Sequence, residues 1–369
     1  MPKVPGGVKQ RLLVGLKNYL LSVALIWLAI FFYRSNLYYA HYLHTETQTA
    51  LFYLALSYTI LGLIFYILLP IEKLPKSKGY LLITALKRVA TDGLHYLKNF
   101  AHKPGLPPPK LAKEEKVALL FVLVKLFFLP LMINFLIDNY NGLQTGLATL
   151  NSAGSLLTVN GFNTVLFPLI FSIFLFIDVA FFTFGYIFEA GFLRNKVRSV
   201  EPTALGWIVA LICYPPFNGL LGNYVTWYPN DYVYFSTPDL TFVLRVVVLV
   251  LMGIYAYSSV ALGTKASNLT NRGIVGHGPY KYVRHPAYIS KNLAWWVTVI
   301  PIFSLPVFLS ALTWSSVYFL RAITEERHLL KDPDYQAYCQ KVPNRFIPSF
   351  LWPKKLITIS GKYTKSTLL

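Results

Sequence analysis

Eleven consecutive residues, Gly278-Pro279-Tyr280-Lys281-Tyr282-Val283-Arg284-His285-Pro286-Ala287-Tyr288, put two prolines, three tyrosines, a histidine and an arginine between two apolar runs. They fall where a membrane helix would meet water, the depth at which a lipid-embedded enzyme needs a polar pocket. A second polar cluster follows the next apolar run: Thr324-Glu325-Glu326-Arg327, then Tyr335, Tyr338 and the stretch from Val342 to Pro348. Between the clusters, Pro301 and Pro306 bracket Ile302-Phe303-Ser304-Leu305, which leaves room only for a turn. A hairpin this tight returns 278–291 and 321–327 to one membrane face, as a shared pocket requires.

The elements that must carry these clusters are apolar helices. The chain has 369 residues, 55% hydrophobic and 13% charged, with a mean hydropathy of +0.49. A soluble domain carries about twice that charge. Apolar runs near 18–33, 49–70, 117–137, 163–188, 204–222, 240–262, 286–304 and 305–322 approach the length that spans a bilayer core. The expected fold is an all-α, polytopic transmembrane helical bundle of about eight spans. It divides into an N-terminal four-span accessory domain (1–200) and a C-terminal four-span domain with a tail (201–369).

The net charge of +19 does not indicate nucleic acid. Counted along alternate loops beginning with the N-terminus, 30 of 34 Lys and Arg fall on one side. That asymmetry predicts cytoplasmic N- and C-termini and attraction to anionic lipid headgroups. Cys213 in a span and Cys339 in the tail imply no disulfide framework. Within the insert 71–116, Leu82, Leu86, Val89, Leu97 and Phe100 recur at helical spacing among Lys87, Arg88 and Lys98. This predicts an amphipathic helix on the cytoplasmic leaflet, or one packed on the protein's own loops, followed by a stiff linker, Pro104 to Pro109.

Charges inside spans need partners. Lys125 and Asp178 sit at matching depth in consecutive spans, which predicts an ion pair; Arg245, near the outer boundary, is expected to snorkel. Arg321 and Glu325 are spaced for a surface pair. His41 to Glu46 has metal-ligand residue types but no further cluster, so a solvated loop and no metal site are expected.

Gly278-Pro279-Tyr280 … Val283-Arg284-His285-Pro286-Ala287-Tyr288 resembles the signature of the isoprenylcysteine carboxyl methyltransferase and phospholipid methyltransferase superfamily. So does Glu325-Glu326-Arg327 … Leu330 … Tyr335 … Tyr338 … Val342-Pro343-Asn344-Arg345-Phe346-Ile347-Pro348. The resemblance covers roughly 240–350, and none is found in the first two hundred residues. It implies an integral membrane enzyme that uses S-adenosylmethionine, with Gly278, Pro279, Tyr280, Arg284, His285, Tyr288, Glu325 and Glu326 lining the cofactor site. Tyrosines suit the adenine, carboxylates the ribose diol and ammonium, and Arg or His the cofactor carboxylate. Adjacent Glu325 and Glu326 point about 100° apart on a helix, so only one should face the cofactor.

The acceptor would reach the site from the bilayer as a lipid or isoprenoid. A carboxylate acceptor needs no base, and Arg345 is expected to hold it while Arg284 serves the cofactor side. An amine or thiol must lose a proton, and His285 is the first candidate base. Two departures stand out: Ile289-Ser290-Lys291 replaces the usual small residue, and Lys331-Asp332-Pro333-Asp334 replaces a phenylalanine-glycine turn. The contrasting readings are a channel or transporter built on Lys125 and Asp178, a silent membrane scaffold, and a reductase of related helical plan. The N-terminal spans would serve substrate docking or homo-oligomerisation.

Overall fold

A chain in lipid has no water to bond, so each apolar run satisfies its backbone as a helix. The computed structural model describes residues 8–68, 77–99, 108–152 and 154–348. They form two compact units, Met1–Ile137 and Asp138–Leu369, whereas the sequence reading divides the chain at 200. Phe100 and residues 104–107 of the proline-rich linker lie outside the described residues.

The first unit holds α1 (Val8–Ser35), α2 (Leu37–Tyr42), α3 (Thr45–Leu68), α4 (Lys78–Asn99) and the start of α5 (Lys113–Ser152). Its core joins Ile30, Tyr33, Leu43, Leu51, Ala55 and Ile133. Polar side chains are used inward: Asn134 Oδ1 accepts from the His44 backbone N–H and from Thr47 Oγ1, each at 2.8 Å. The His41–Glu46 stretch is thus part of a helical turn, with Asn36 accepting from the Tyr38 and Tyr39 N–H groups to cap α2. On α4, Leu82 and Ala85 are buried, while Leu86, Leu94 and Leu97 stay exposed beside Lys87, Arg88 and Lys98. The helix is fixed at its start by Ser77, which bonds Asn18 and Ser22 of α1.

In the second unit α6 (Val159–Gly161) runs through a π turn at Phe162–Leu166 into α7 (Phe167–Ile187). A two-residue strand, β1 (Ser199–Val200), pairs antiparallel with β2 (Thr270–Asn271). Between them come α8 (Ala204–Leu211), α9 (Asn218–Gly222) and α10 (Pro238–Leu262). Then follow α11 (Pro286–Thr298), α12 (Leu305–Leu329) and α13 (Pro333–Lys341). α10 packs against α7 and α11, and α12 against α11 and α8. The core under the site is Phe167, Phe171, Val248, Met252 and Ala294.

The all-α, multi-pass bundle is as expected, but the span lengths differ. Among the described residues six helices are long and apolar enough to cross a membrane. The other two expected spans are shorter helices. The 204–222 run breaks after the eight residues of α8, where Pro215 and Pro216 supply no N–H. α11 has 13 residues, about 20 Å at 1.5 Å per residue, before Pro301 and a 3₁₀ turn. The hairpin from α11 to α12 forms as the prolines require, with Trp296 Nε1 donating to Ser315 Oγ across it at 3.0 Å.

Arg245 does not snorkel. It is 2% exposed and donates to the carbonyls of Val233 (Nε 3.2 Å), Tyr232 (Nη2 2.8 Å) and Asn163. Its guanidinium lies 4.4 Å from the Phe167 ring centre and 4.2 Å from that of Tyr234. The side chain pins the loop before α10 by bonding carbonyls that no helix satisfies. Lysine has too few donors and no planar fork, so Arg245→Lys should cost about 1–2 kcal/mol. The measurement is denaturant unfolding in detergent followed by circular dichroism.

Candidate active site at the hairpin ends

The site begins where α10 stops. Gly263 (φ +53°) ends the helix, and the chain runs through β2 and Gly273 (φ +96°) to a third positive-φ glycine, Gly278 (φ +59°). An added Cβ at Gly278 would meet Ala261 Cβ at 3.1 Å in a conformation that L side chains avoid, which is why glycine stands there. Pro279 and Tyr280 form the 3₁₀ turn that follows. Tyr338 of α13 donates its hydroxyl to the Tyr280 carbonyl at 2.6 Å, which ties the turn to the tail.

The next residues pair with the tail through the main chain. Arg284 N–H donates to Asn344 O at 3.0 Å, and His285 N–H to Arg345 O at 2.9 Å. Pro286 then opens α11, where its missing N–H is harmless. The two motif stretches, about forty residues apart, therefore converge on one carboxylate.

That carboxylate belongs to Glu326, which is 3% exposed. Its Oε1 accepts from Arg284 Nε at 2.8 Å and sits 3.0 Å from His285 Nε2. Its Oε2 accepts from Arg345 Nε at 2.8 Å and from Arg284 Nη2 at 3.2 Å. Arg284 adds two bonds to the carbonyls of Val342 and Pro343. Burial alone would favour neutral Arg284, but the Glu326 carboxylate holds its guanidinium above the ordinary arginine range. Burial also pushes the Tyr280, Tyr335 and Tyr338 phenols upward, so all three stay protonated at neutral pH.

Glu325 points elsewhere, as the 100° step between neighbours predicts. It is exposed, and Tyr288 donates its hydroxyl to Oε2 at 2.7 Å. The Tyr288 ring stacks on His285 at 5.3 Å with an interplanar angle of 10°. His285 and Glu325 are thus joined through Tyr288.

Of the sequence-predicted residues, the structure brings Arg284, His285, Glu326 and Arg345 into a single clamp. Tyr288 and Glu325 stand beside it, and the Gly278–Tyr280 turn is tied to it through Tyr338. His285 Nε2 lies 3.0 Å from Glu326 Oε1, and both arginines are engaged there, with Arg345 still about half exposed.

The i,i+4 spacing predicted a surface pair of Arg321 with Glu325, but Arg321 is buried and turned elsewhere. It donates to Asn268 Oδ1, and its guanidinium lies 5.2 Å from the Tyr288 ring centre. Asn268 in turn bonds Tyr186 and Tyr214. An arginine amid an apolar helix, four residues before Glu325, was the available signal.

The Lys331–Asp334 departure has a structural role. Asp332 caps α13 by accepting from the Asp334 N–H at 3.0 Å, and it accepts from Asn271 at 2.8 Å and Arg198 at 3.0 Å. Burial opposes ionisation, but these donors hold its carboxyl below the ordinary range. A depressed folded pKa means that stability from Asp332 is fully present above the unfolded value of about 3.9 and is lost as pH falls through the folded one. Asp332→Ala should cost about 1–2 kcal/mol at pH 7 and progressively less under acid, measured by thermal unfolding at a series of pH values.

The donor set fits S-adenosylmethionine. An exposed carboxylate at Glu325 suits an ammonium or ribose diol, the Tyr280 ring suits adenine, and the cationic excess around Glu326 suits a carboxylate. Among the described residues no group of three or more metal-ligating side chains is found. Residues 240–332 match the family model described as phospholipid methyltransferase. This stretch carries the first motif and Glu325–Glu326, and it ends before Arg345. The match covers about a quarter of the chain, and in that stretch the chain is similar to phospholipid methyltransferases. No curated protein and no solved structure matches the chain.

Proposed function

We propose that this multi-pass membrane protein is an S-adenosylmethionine-dependent methyltransferase whose acceptor is an apolar, lipid-type molecule. The observation that carries the reading is the convergence of two distant motif stretches on Glu326, with the Tyr288–Glu325 pair presented alongside. The bound cofactor would supply an electrophilic methyl carbon whose bond to sulfur breaks with its electron pair left on sulfur.

The chain's own residues would do the rest. Gly278 allows close backbone approach, Tyr280 offers its ring, and Tyr288, with its ring against His285 and Arg321, orients Glu325. Glu325 takes a positively charged or hydroxyl-bearing group, while Arg345 keeps an exposed guanidinium edge for an anion. Glu326 does not contact the ligands in this reading. It holds Arg284, His285 and Arg345 in register, so that the tail covers the site and keeps water out. The cofactor would enter from the side rich in Lys and Arg, and the acceptor from the bilayer.

Titration calorimetry with S-adenosylhomocysteine tests this reading. Saturable one-site binding is expected from folded protein in detergent. Absence of heat from protein that still melts cooperatively would overturn it. Incubation with a deuterium-labelled methyl donor and lipid extract, read by mass spectrometry, then identifies the labelled acceptor.

A further inference from the structure

Asp178, expected to meet Lys125, instead accepts from Tyr255 of α10 at 2.6 Å and from Ser259. Equal depth does not fix rotation about a helix axis, and the carboxylate is turned to α10. That charge is satisfied inside its own unit. What the proposed enzyme leaves unused is an apolar face in the first unit, on α4.

α4 is not among the six helices long and apolar enough to cross a membrane, since Lys87, Arg88, Asp92 and Lys98 interrupt it. Its beginning is seated on α1. Ser77 donates to Asn18 Oδ1 at 2.5 Å and lies 2.8 Å from Ser22 Oγ. A Cβ at Gly79 would touch Ser22 at 3.4 Å and Leu25 at 3.5 Å, and Leu82 and Ala85 are buried. From Leu86 onward the helix leaves that packing. Leu86, Ala90, Leu94 and Leu97 are all exposed, the three leucines by 52% to 69%. At 100° and 1.5 Å per residue they form one stripe, about 80° wide and about 17 Å long.

The returning chain takes another side of α4. Arg88 donates to the Lys110 carbonyl at 3.2 Å and pairs with Glu115 at 2.5 Å and Asp92 at 3.2 Å. Lys87 and Lys98 border the stripe, about 100–120° round from Leu86. Both are exposed, and neither has an acidic partner among the described residues.

Level and charge together select what covers the stripe. Asn18 and Ser22, which hold the start of α4, lie one and five residues beyond exposed Lys17 in the α1 span Leu13–Ser35. α4 therefore leaves α1 within about 8 Å of the place where that span passes from head groups into hydrocarbon. A helix that departs from this depth, with leucines on one face and lysines at the edge, has the layout of one lying in the interface plane. A protein partner would have to reach the stripe through the head groups and would face two uncompensated lysines. Lipid phosphates meet those lysines with the opposite charge.

We propose that Leu86, Ala90, Leu94 and Leu97 seat α4 in the membrane surface on the side where α1 begins, and that Lys87 and Lys98 select anionic lipid there. The proposal goes beyond the methyltransferase reading and does not depend on it: it concerns the first unit and holds or fails whether or not the cofactor binds. Each lysine near an anionic surface favours it about fivefold, an effect that salt screens, while the leucines' contribution persists.

The test uses the whole protein in nanodiscs of phosphatidylcholine and phosphatidylglycerol, with Cys213 and Cys339 replaced by serine. An environment-sensitive fluorophore is attached at Ala90→Cys or, about 140° round the helix, at His95→Cys. A fixed fraction of the lipid carries a nitroxide on its acyl chain, on one head-group type or the other. The probe at position 90 should emit as in an apolar medium and be quenched by the nitroxides; the probe at 95 should do neither. Quenching at 90 should be several-fold stronger with the nitroxide on phosphatidylglycerol, and Lys87→Gln with Lys98→Gln should abolish that difference.

Water-like emission at position 90 would overturn the proposal. So would apolar emission that no lipid nitroxide quenches, since protein, the chain itself or a second copy, would then cover the stripe. Equal quenching by the two lipids before the lysines are changed would overturn the anionic preference. Thermal unfolding confirms that each labelled protein is folded, and Leu94→Cys repeats the reading on the same stripe if labelling at 90 disturbs it.

Discussion

Glu326→Ala is expected to destabilise the protein by about 3–5 kcal/mol and to abolish S-adenosylhomocysteine binding, a larger effect than any other single substitution in the site should have. The carboxylate is 3% exposed and receives bonds from Arg284, His285 and Arg345. Removing it leaves positive charge with no counter-ion in a place that water reaches poorly, the situation in which breaking a buried pair costs most. Glu326→Gln keeps the shape but halves the acceptor capacity and removes the charge, so it should fall between the two. Thermal unfolding by circular dichroism gives the stability, and calorimetry gives the binding. If Glu326→Ala melts within about 1 kcal/mol of wild type, the clamp is not what holds the tail over the site.

The reason that so much of this site is legible in the sequence is chemical. Pro301 and Pro306 dictate a turn, and the turn dictates that the flanking clusters meet; that Arg284, His285 and Arg345 all engage Glu326 was not legible, since the sequence assigned Arg284 to the cofactor side and Arg345 to the acceptor. Neighbours Glu325 and Glu326 were bound to diverge, and they do. What was not legible is what rotation decides. Arg321, Lys291 and Asp178 each sat in an apolar run with no local cue to direction, and the structure turns them to Asn268, Tyr255 and Ser259.

Arg245 failed for a related reason: a position near a boundary permits snorkelling, yet the loop before α10 supplies the carbonyls that the guanidinium bonds. The two short spans had a readable cause that hydropathy hides. Pro215, Pro216 and Pro301 stop helices whose composition alone would let them continue. In the insert, the helical period of α4 was plain, but only packing shows that Leu82 is buried and Leu97 is not.

Glu325→Gln separates binding from folding, and so completes the contrast with its neighbour. The side chain is exposed and takes its hydrogen bond from Tyr288, so its loss should leave the melting temperature nearly unchanged. In the proposed site it meets the cofactor's ammonium or ribose hydroxyls, a charge-assisted contact whose loss weakens S-adenosylhomocysteine about 10–100-fold. Tyr288→Phe should have a smaller effect of the same sign, because the ring remains while Glu325 loses the donor that orients it. Competition by unlabelled S-adenosylmethionine for labelled S-adenosylhomocysteine measures both. Were Glu325→Gln to bind as tightly as wild type, the cofactor would have to be sought away from Tyr288, and Glu326 would remain a purely architectural residue.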